Sequence, residues 1–204
     1  MIHVGQLGLD ELDIDEILFN VLELNNDWIK RNDVPFYTLG RNAYMDGNTP
    51  EYFKESKILN PKLYKHFPLL YTATQIYLTN FLNQPVHLNH KFAYPSFHIF
   101  ESNECFLNFP ANWHYDFPNK TLKLGNENAF SFTVVIDIPE SGAGLEYKDG
   151  EEYKYLKYNV GDIILHKGDF LHNIAPLKEY KPNEYRITLQ GHIIRYEDRL
   201  IMYW

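Results

Sequence analysis

The sequence predicts a mainly β protein, a double-sheet jelly roll preceded by helices. Two observations carry this. Beyond Gln84 the chain breaks into short runs rich in β-branched and aromatic residues, separated by Pro, Gly and Asn, with no helix-length segment between them. Before Gln84, apolar residues recur at helical rather than alternating spacing. An aromatic content of 16% suits such a fold, whose walls favour amphipathic rings. At 204 residues, with no internal repeat or low-complexity linker, the chain reads as one domain over 1–204, helical over 1–84 and jelly roll over 85–204.

In chain order, Asp13 with Glu16 reads as a capping box, and Ile14, Ile17, Leu18, Val21, Leu22 and Trp28 continue at helical spacing to about Arg31. The acidic residues around it suit a solvated first turn. From Asp33 to Asn60, Pro35, Gly40, Gly47 and Pro50 predict an irregular connection or lid. After Pro61, Leu63, Phe67, Leu70, Tyr77, Leu78 and Phe81 recover the helical period, with Pro68 marking a break or new start. Strands are then expected at 86–92, 96–101, around His114, and at 129–138, 144–147, 152–158, 162–166, 170–175 and 184–195.

Composition excludes several classes of function. A formal charge of −8 argues against a nucleic-acid partner, because phosphate contacts need a concentrated basic surface. The lysines between Lys148 and Lys157 alternate with acids, as in a solvated hairpin. No apolar run approaches the roughly 20 residues of a membrane span, and the acidic start lacks the pattern of a signal peptide. Cys105 is the only cysteine, which excludes an intramolecular disulfide and thiolate clusters and makes a reducing, cytoplasmic setting the expectation.

The chemistry gathers at Asn112-Trp-His-Tyr-Asp116. In an extended strand His114 and Asp116 project from one face, so an imidazole and a carboxylate could reach one metal ion. Trp113 and Tyr115 then point away, to packing. A third ligand is offered by His172, after the Gly168 turn. An antiparallel hairpin centred on Glu179 would set His172 opposite Arg186. Alternation in the last strand places Arg186, Thr188, Gln190 and His192 on one face and Tyr185, Ile187 and Leu189 on the other. An unpaired guanidinium is too costly for a dry core, so that face should meet an anion, and its planar fork with a neighbouring hydroxyl suits a carboxylate.

His114-Tyr-Asp116, the distal His172 and Arg186-Ile-Thr188, taken in order, resemble the Fe(II)/2-oxoglutarate-dependent oxygenases. Pro139-Glu-Ser-Gly-Ala-Gly-Leu145 is similar to that family's glycine-containing hairpin, and Gly161-Asp-Ile-Ile-Leu165 to the strand leading to its distal histidine. The likeness covers roughly residues 96–195. It implies the cupin-like, double-stranded β-helix form of the jelly roll. It also implies iron held by His114, Asp116 and His172, 2-oxoglutarate anchored by Arg186 and Thr188, and O2 as oxidant, with succinate and CO2 as co-products of a hydroxylation. A carboxylate at 116, where related halogenases carry a small residue, argues against halogenation; desaturation and ring closure use the same ligands.

Other histidines have alternative readings. His166 with Asp169 and His172 could be drawn as a second cluster, but the Gly168 turn favours His166 as a pocket or core residue. His87 and His90 fall on opposite faces of a strand and read as structural. His98 and Tyr94 lie near the site and Arg41 with Tyr44 could reach in from the irregular segment, so these are the candidates for touching substrate, although a hydrogen-bonded core residue is the favoured reading of His98. Ser131 and Thr133 share one strand face, lining the cavity or facing water. The expected partner is a small molecule such as an amino acid or biosynthetic intermediate. The same chemistry on a peptide or protein, or a jelly roll that only binds, are the rival readings.

Overall fold

The structure, a computed structural model, describes residues 2–31, 34–47, 49–107, 112–125 and 129–204. The elements follow in order as β1 (Ile2–Gln6), α1 (Glu11–Glu23), β2 (Trp28–Arg31), β3 (Phe36–Leu39), α2 (Ala43–Asp46), α3 (Pro50–His66), α4 (Pro68–Leu82), β4 (Val86–Leu88) and β5 (Ser96–Glu101). After these come α5 (Pro118–Thr121), β6 (Phe130–Asp137), β7 (Leu145–Asp149), β8 (Glu152–Leu156), β9 (Asp162–Lys167), β10 (His172–Ile174), β11 (Tyr185–Tyr196) and β12 (Arg199–Tyr203). A nine-stranded major sheet runs β1-β9-β6-β11-β5-β3-β2, with β12 and β4 continuing beside β11; a minor sheet runs β10-β7-β8. Every pairing among the described residues is antiparallel except β12 with β4. No helix among them is long and apolar enough to cross a membrane.

Period-two alternation sorts the major sheet into two faces. Phe97 and Ile99 of β5, Phe132, Val134 and Ile136 of β6, Ile163 and Leu165 of β9, and Ile187 and Leu189 of β11 pack against Ile17, Val21, Leu63, Leu70 and Leu78 of the helices. Each of these side chains is buried, a gain of about 1.5–3 kcal/mol apiece. The other face turns towards the minor sheet: Val135 and Ile164 pack on Leu145, Tyr158 and Phe170. The cavity described below opens between the two sheets.

The N-terminal part departs from its expected pattern. Asp10, not Asp13, caps α1, with Asp10 and Asp13 closing a reciprocal capping box. The helix stops at Glu23 because Asn25-Asn-Asp27, whose side chains compete for backbone groups, tighten into a 3-10 turn. Trp28 consequently begins a strand. The segment expected to be irregular holds β3, α2 and the first turns of α3, which starts at Pro50 with Thr49 as N-cap. Pro61 is accommodated inside that helix. Three strands from the first 84 residues join the major sheet, so the β architecture begins well before the expected change of texture.

Candidate metal centre

His114 lies outside any strand, yet it is fixed by a two-way backbone bond: its N–H donates to the His172 carbonyl at 2.9 Å, and the His172 N–H donates back at 3.1 Å. This single antiparallel bridge sets His114 beside β10. Asp116 follows two residues on, and a Cβ at Gly168 would lie 2.4 Å from the Asp116 carbonyl oxygen, so glycine is what lets the two backbones touch. Nε2 of His114 is 3.7 Å from Oδ1 of Asp116, and Nε2 of His172 is 3.8 Å from Oδ2. Ligand atoms of His114, Asp116 and His172 all lie within 4.8 Å of one another.

The hydrogen bonds of the rings decide their tautomers. Nδ1 of His114 faces the Asn112 carbonyl at 2.7 Å, and Nδ1 of His172 the Phe170 carbonyl at 2.8 Å. A carbonyl only accepts, so each Nδ1 carries the proton and each Nε2 lone pair points at the carboxylate. Lone pairs converging on a carboxylate at these distances form a site that a cation satisfies. The donor set, two imidazoles and a carboxylate, suits a divalent transition metal such as iron. Burial alone would raise the pKa of Asp116, but the neighbouring His172, His166 and His192 and a Ser131 hydrogen bond hold it well below the usual carboxylate range. His172 is pushed down to about 4, chiefly by burial. Near neutral pH Asp116 is therefore an anion and His172 a neutral imidazole, their ligating forms.

Across the cavity, Arg186 is 3% exposed. Its Nε donates to the Ala143 carbonyl at 2.9 Å and its Nη1 to Oγ1 of Thr188 at 3.3 Å, while Phe100 and Tyr158 present their rings to it. Among the described residues it forms no ion pair, and burial lowers its pKa. Burial likewise pushes the Tyr158 hydroxyl up to about 12. The metal cluster and this guanidinium line a single cavity of about 600 Å³.

His172 and Arg186 do not pair in one hairpin. His172 lies opposite Tyr147 of β7 in the minor sheet, whereas Arg186 lies opposite Phe100 of β5 in the major sheet. Pro176, lacking an N–H, follows the short β10, and the chain keeps to the minor-sheet side, Ala175 bonding Gly144 and Leu177 bonding Phe106, before crossing at a turn with Asn183 in the left-handed region. The two residues face each other across the cavity instead. Alternation in β11 is as expected: Ile187 and Leu189 enter the core, and Arg186, Gln190 and His192 line the cavity. Thr188, fully buried on the same face, accepts from Arg186 and lies beneath the lining.

His98 lines the cavity too, its Nε2 bonded to the Tyr44 hydroxyl at 2.6 Å and its buried Nδ1 without a partner among the described residues. Burial, with Arg186 and Arg31 nearby, drives its pKa well below the usual range. Ser131 and Thr133 line the cavity rather than face water. Two expected substrate residues lie elsewhere. Arg41 is held by Glu55 at 2.7 Å and Asp46 at 3.1 Å, its charge already met. Tyr94 is buried against Tyr71, its hydroxyl bonded to His90, in a separate depression. His166, expected as a pocket or core residue, lines the cavity with its Nε2 3.8 Å from Oδ2 of Asp116. The Gly168 turn between it and His172 argued against grouping the two.

No family model matches the sequence, and no curated protein matches it. Solved structures do. An N-substituted L-amino acid dioxygenase from Burkholderia ambifaria AMMD, in complex with alpha-ketoglutarate (2-oxoglutarate), aligns over 100% of this chain and 86% of its own at 15% identity, with a TM-score of 0.60. A prolyl hydroxylase from Trichoplax adhaerens, bound to a hypoxia inducible factor peptide fragment, aligns over 93% and 82% at 10% identity and a TM-score of 0.55. The non-heme alpha-ketoglutarate-dependent epimerase SnoN from nogalamycin biosynthesis aligns over 96% and 79% at 12% identity and a TM-score of 0.51. The chain therefore has the jelly-roll fold on which these non-haem, 2-oxoglutarate-type enzymes are built.

Proposed function

We propose that this protein is an Fe(II)- and 2-oxoglutarate-dependent dioxygenase of one domain, working in the cytoplasm and hydroxylating a small molecule such as an amino acid or biosynthetic intermediate. The observation that carries the reading is a pair of unmet electrostatic demands in one cavity. A carboxylate ringed by imidazole lone pairs calls for a cation, and opposite it a buried guanidinium without a carboxylate partner calls for an anion. A short dicarboxylate whose other end carries a metal-chelating keto acid answers both. The fold shared with enzymes that carry alpha-ketoglutarate in their names supports the same choice.

In this reading His114, Asp116 and His172 hold Fe(II). Arg186, steadied by the Ala143 carbonyl and by Thr188, clamps the far carboxylate of 2-oxoglutarate. The bound metal supplies O2 activation coupled to decarboxylation of the cosubstrate to succinate and CO2. The protein's share is positioning and exclusion of water. Phe36, Tyr44, Met45 and Phe106 give the remaining wall an apolar, aromatic surface, with His98 as the polar group that meets substrate. Arg186 is the only Arg or Lys lining the cavity among the described residues, so a small substrate would be held mainly by rings and neutral hydrogen bonds.

Anaerobic addition of Fe(II) and 2-oxoglutarate to the purified protein should produce a weak visible charge-transfer band. Asp116→Ala and His172→Ala should abolish it. No band with the wild-type protein, or the same band in both variants, refutes the assignment.

A further inference from the structure

The cavity holds one imidazole more than a facial triad uses. His166 projects from β9 on the face that also carries Ser131 of β6 and His192 of β11, the three lying side by side across the strands. It is 5% exposed. Its Nδ1 meets the carbonyl of Lys167 at 2.9 Å, the arrangement already seen for His114 with Asn112 and His172 with Phe170. The consequence is the same: the proton sits on Nδ1, and the Nε2 lone pair faces Oδ2 of Asp116, 3.8 Å away. His172 approaches that same oxygen at an equal 3.8 Å, and the two rings are 4.6 Å apart.

Among the described residues Nδ1 of His166 is met by a carbonyl, and Nε2 by no hydrogen-bond donor. If Nε2 carried the proton, Nδ1 and the Lys167 carbonyl would be two acceptors in close contact, a worse clash than the one relieved. With the proton on Nδ1, the Nε2 lone pair is turned to the carboxylate at the same distance as that of His172. Three imidazoles therefore turn a lone pair to one carboxylate; the ligand atoms of His114, Asp116 and His172 lie within 4.8 Å of one another, and His166 is the fourth ring, outside that group but at the same carboxylate.

We infer that His166 is a fourth protein ligand of the metal in its cosubstrate-free state, making the resting centre three imidazoles and one carboxylate. The inference rests on the metal-binding part of the function proposed above and is independent of the identity of the cosubstrate. Four protein ligands leave two positions on an octahedral ion, where the triad leaves three. That number suffices for the two oxygens of a 2-oxo acid.

The test uses the full chain loaded with Co(II), observed by proton NMR in water and in deuterium oxide. Each ligating ring held through Nδ1–H to a carbonyl contributes a strongly shifted, exchangeable resonance. The expected result is one such resonance present in the wild type and missing from both His166→Phe and His166→Gln, with the others retained and circular dichroism unchanged. The Kd for Co(II) should rise by about 10- to 100-fold in both variants. Three resonances in the wild type support the inference even where a variant does not fold. An identical set in wild type and variants overturns it, leaving His166 as a neighbour and not a ligand. No shifted resonance in the wild type overturns the metal site and the inference with it, whereas three resonances without a 2-oxoglutarate-induced band in the iron protein leave the inference standing and refute only the cosubstrate.

Discussion

Replacing Arg186 by methionine should move stability and cosubstrate affinity in opposite directions. In the ligand-free protein the guanidinium is buried, bonded only to neutral groups and pressed between the rings of Phe100 and Tyr158. Burying an ion without a counter-charge costs several kcal/mol, and an apolar side chain of similar length removes that cost. Against it stands the Ala143 carbonyl, which loses its donor at about 1–3 kcal/mol. The balance predicts that Arg186→Met leaves the ligand-free protein as stable as the wild type or about 1–3 kcal/mol more stable. Affinity for 2-oxoglutarate should fall instead by about 2–5 kcal/mol, because one charge-assisted contact is lost and a carboxylate is stranded. That is roughly a 30- to 4000-fold rise in Kd. Urea denaturation of the ligand-free protein reads the first quantity, and anaerobic titration of the charge-transfer band the second. Equal losses of Fe(II) and 2-oxoglutarate affinity, or a large drop in ligand-free stability, would refute the assignment of Arg186 as the anion clamp.

Two further outcomes follow from the geometry. Gly168→Ala places a Cβ 2.4 Å from the Asp116 carbonyl oxygen, so the Asp116 segment has to shift. The expected cost is about 1–3 kcal/mol of stability with a clear loss of Co(II) affinity, and unchanged metal binding counts against the role given to that contact. The metal-free protein should lose stability on acidification: burial pushes His192 down to about 4 and His98 well below its usual range, so both are neutral when folded. Their contribution is complete above the unfolded value near 6.5 and is lost as pH falls towards 4, on the order of 3 kcal/mol for His192. A urea midpoint constant between pH 7 and pH 4.5, or a slope unaltered by His192→Phe, contradicts this.

Local periodicity made part of this molecule legible in its sequence. The alternation of Arg186, Thr188, Gln190 and His192 against Ile187 and Leu189 is a property of any extended strand with one face in a core, and the fold obeys it. The spacing of His114 and Asp116 needed only two residues of extended backbone. The N-terminal β1, β2 and β3 were not legible, because each is a short strand whose pairing with β9, β5 or a neighbour is decided by residues far along the chain.

Tertiary structure alone decided which elements face one another. Hydrogen bonds across a sheet carry no local signature, so the sequence could not separate a hairpin joining His172 to Arg186 from two sheets meeting over a cavity. Nor could it bring His166 to Asp116, since that approach needs a glycine at 168, where the backbones touch, and the bridge from His114 to His172. The sequence by itself determined which imidazole, carboxylate and guanidinium groups were candidates for chemistry and which face of β11 its residues occupy. Packing between the sheets determined that His114, Asp116 and His172, on two separate segments, converge with His166 beside them, because convergence depends on long-range contacts that no local pattern encodes.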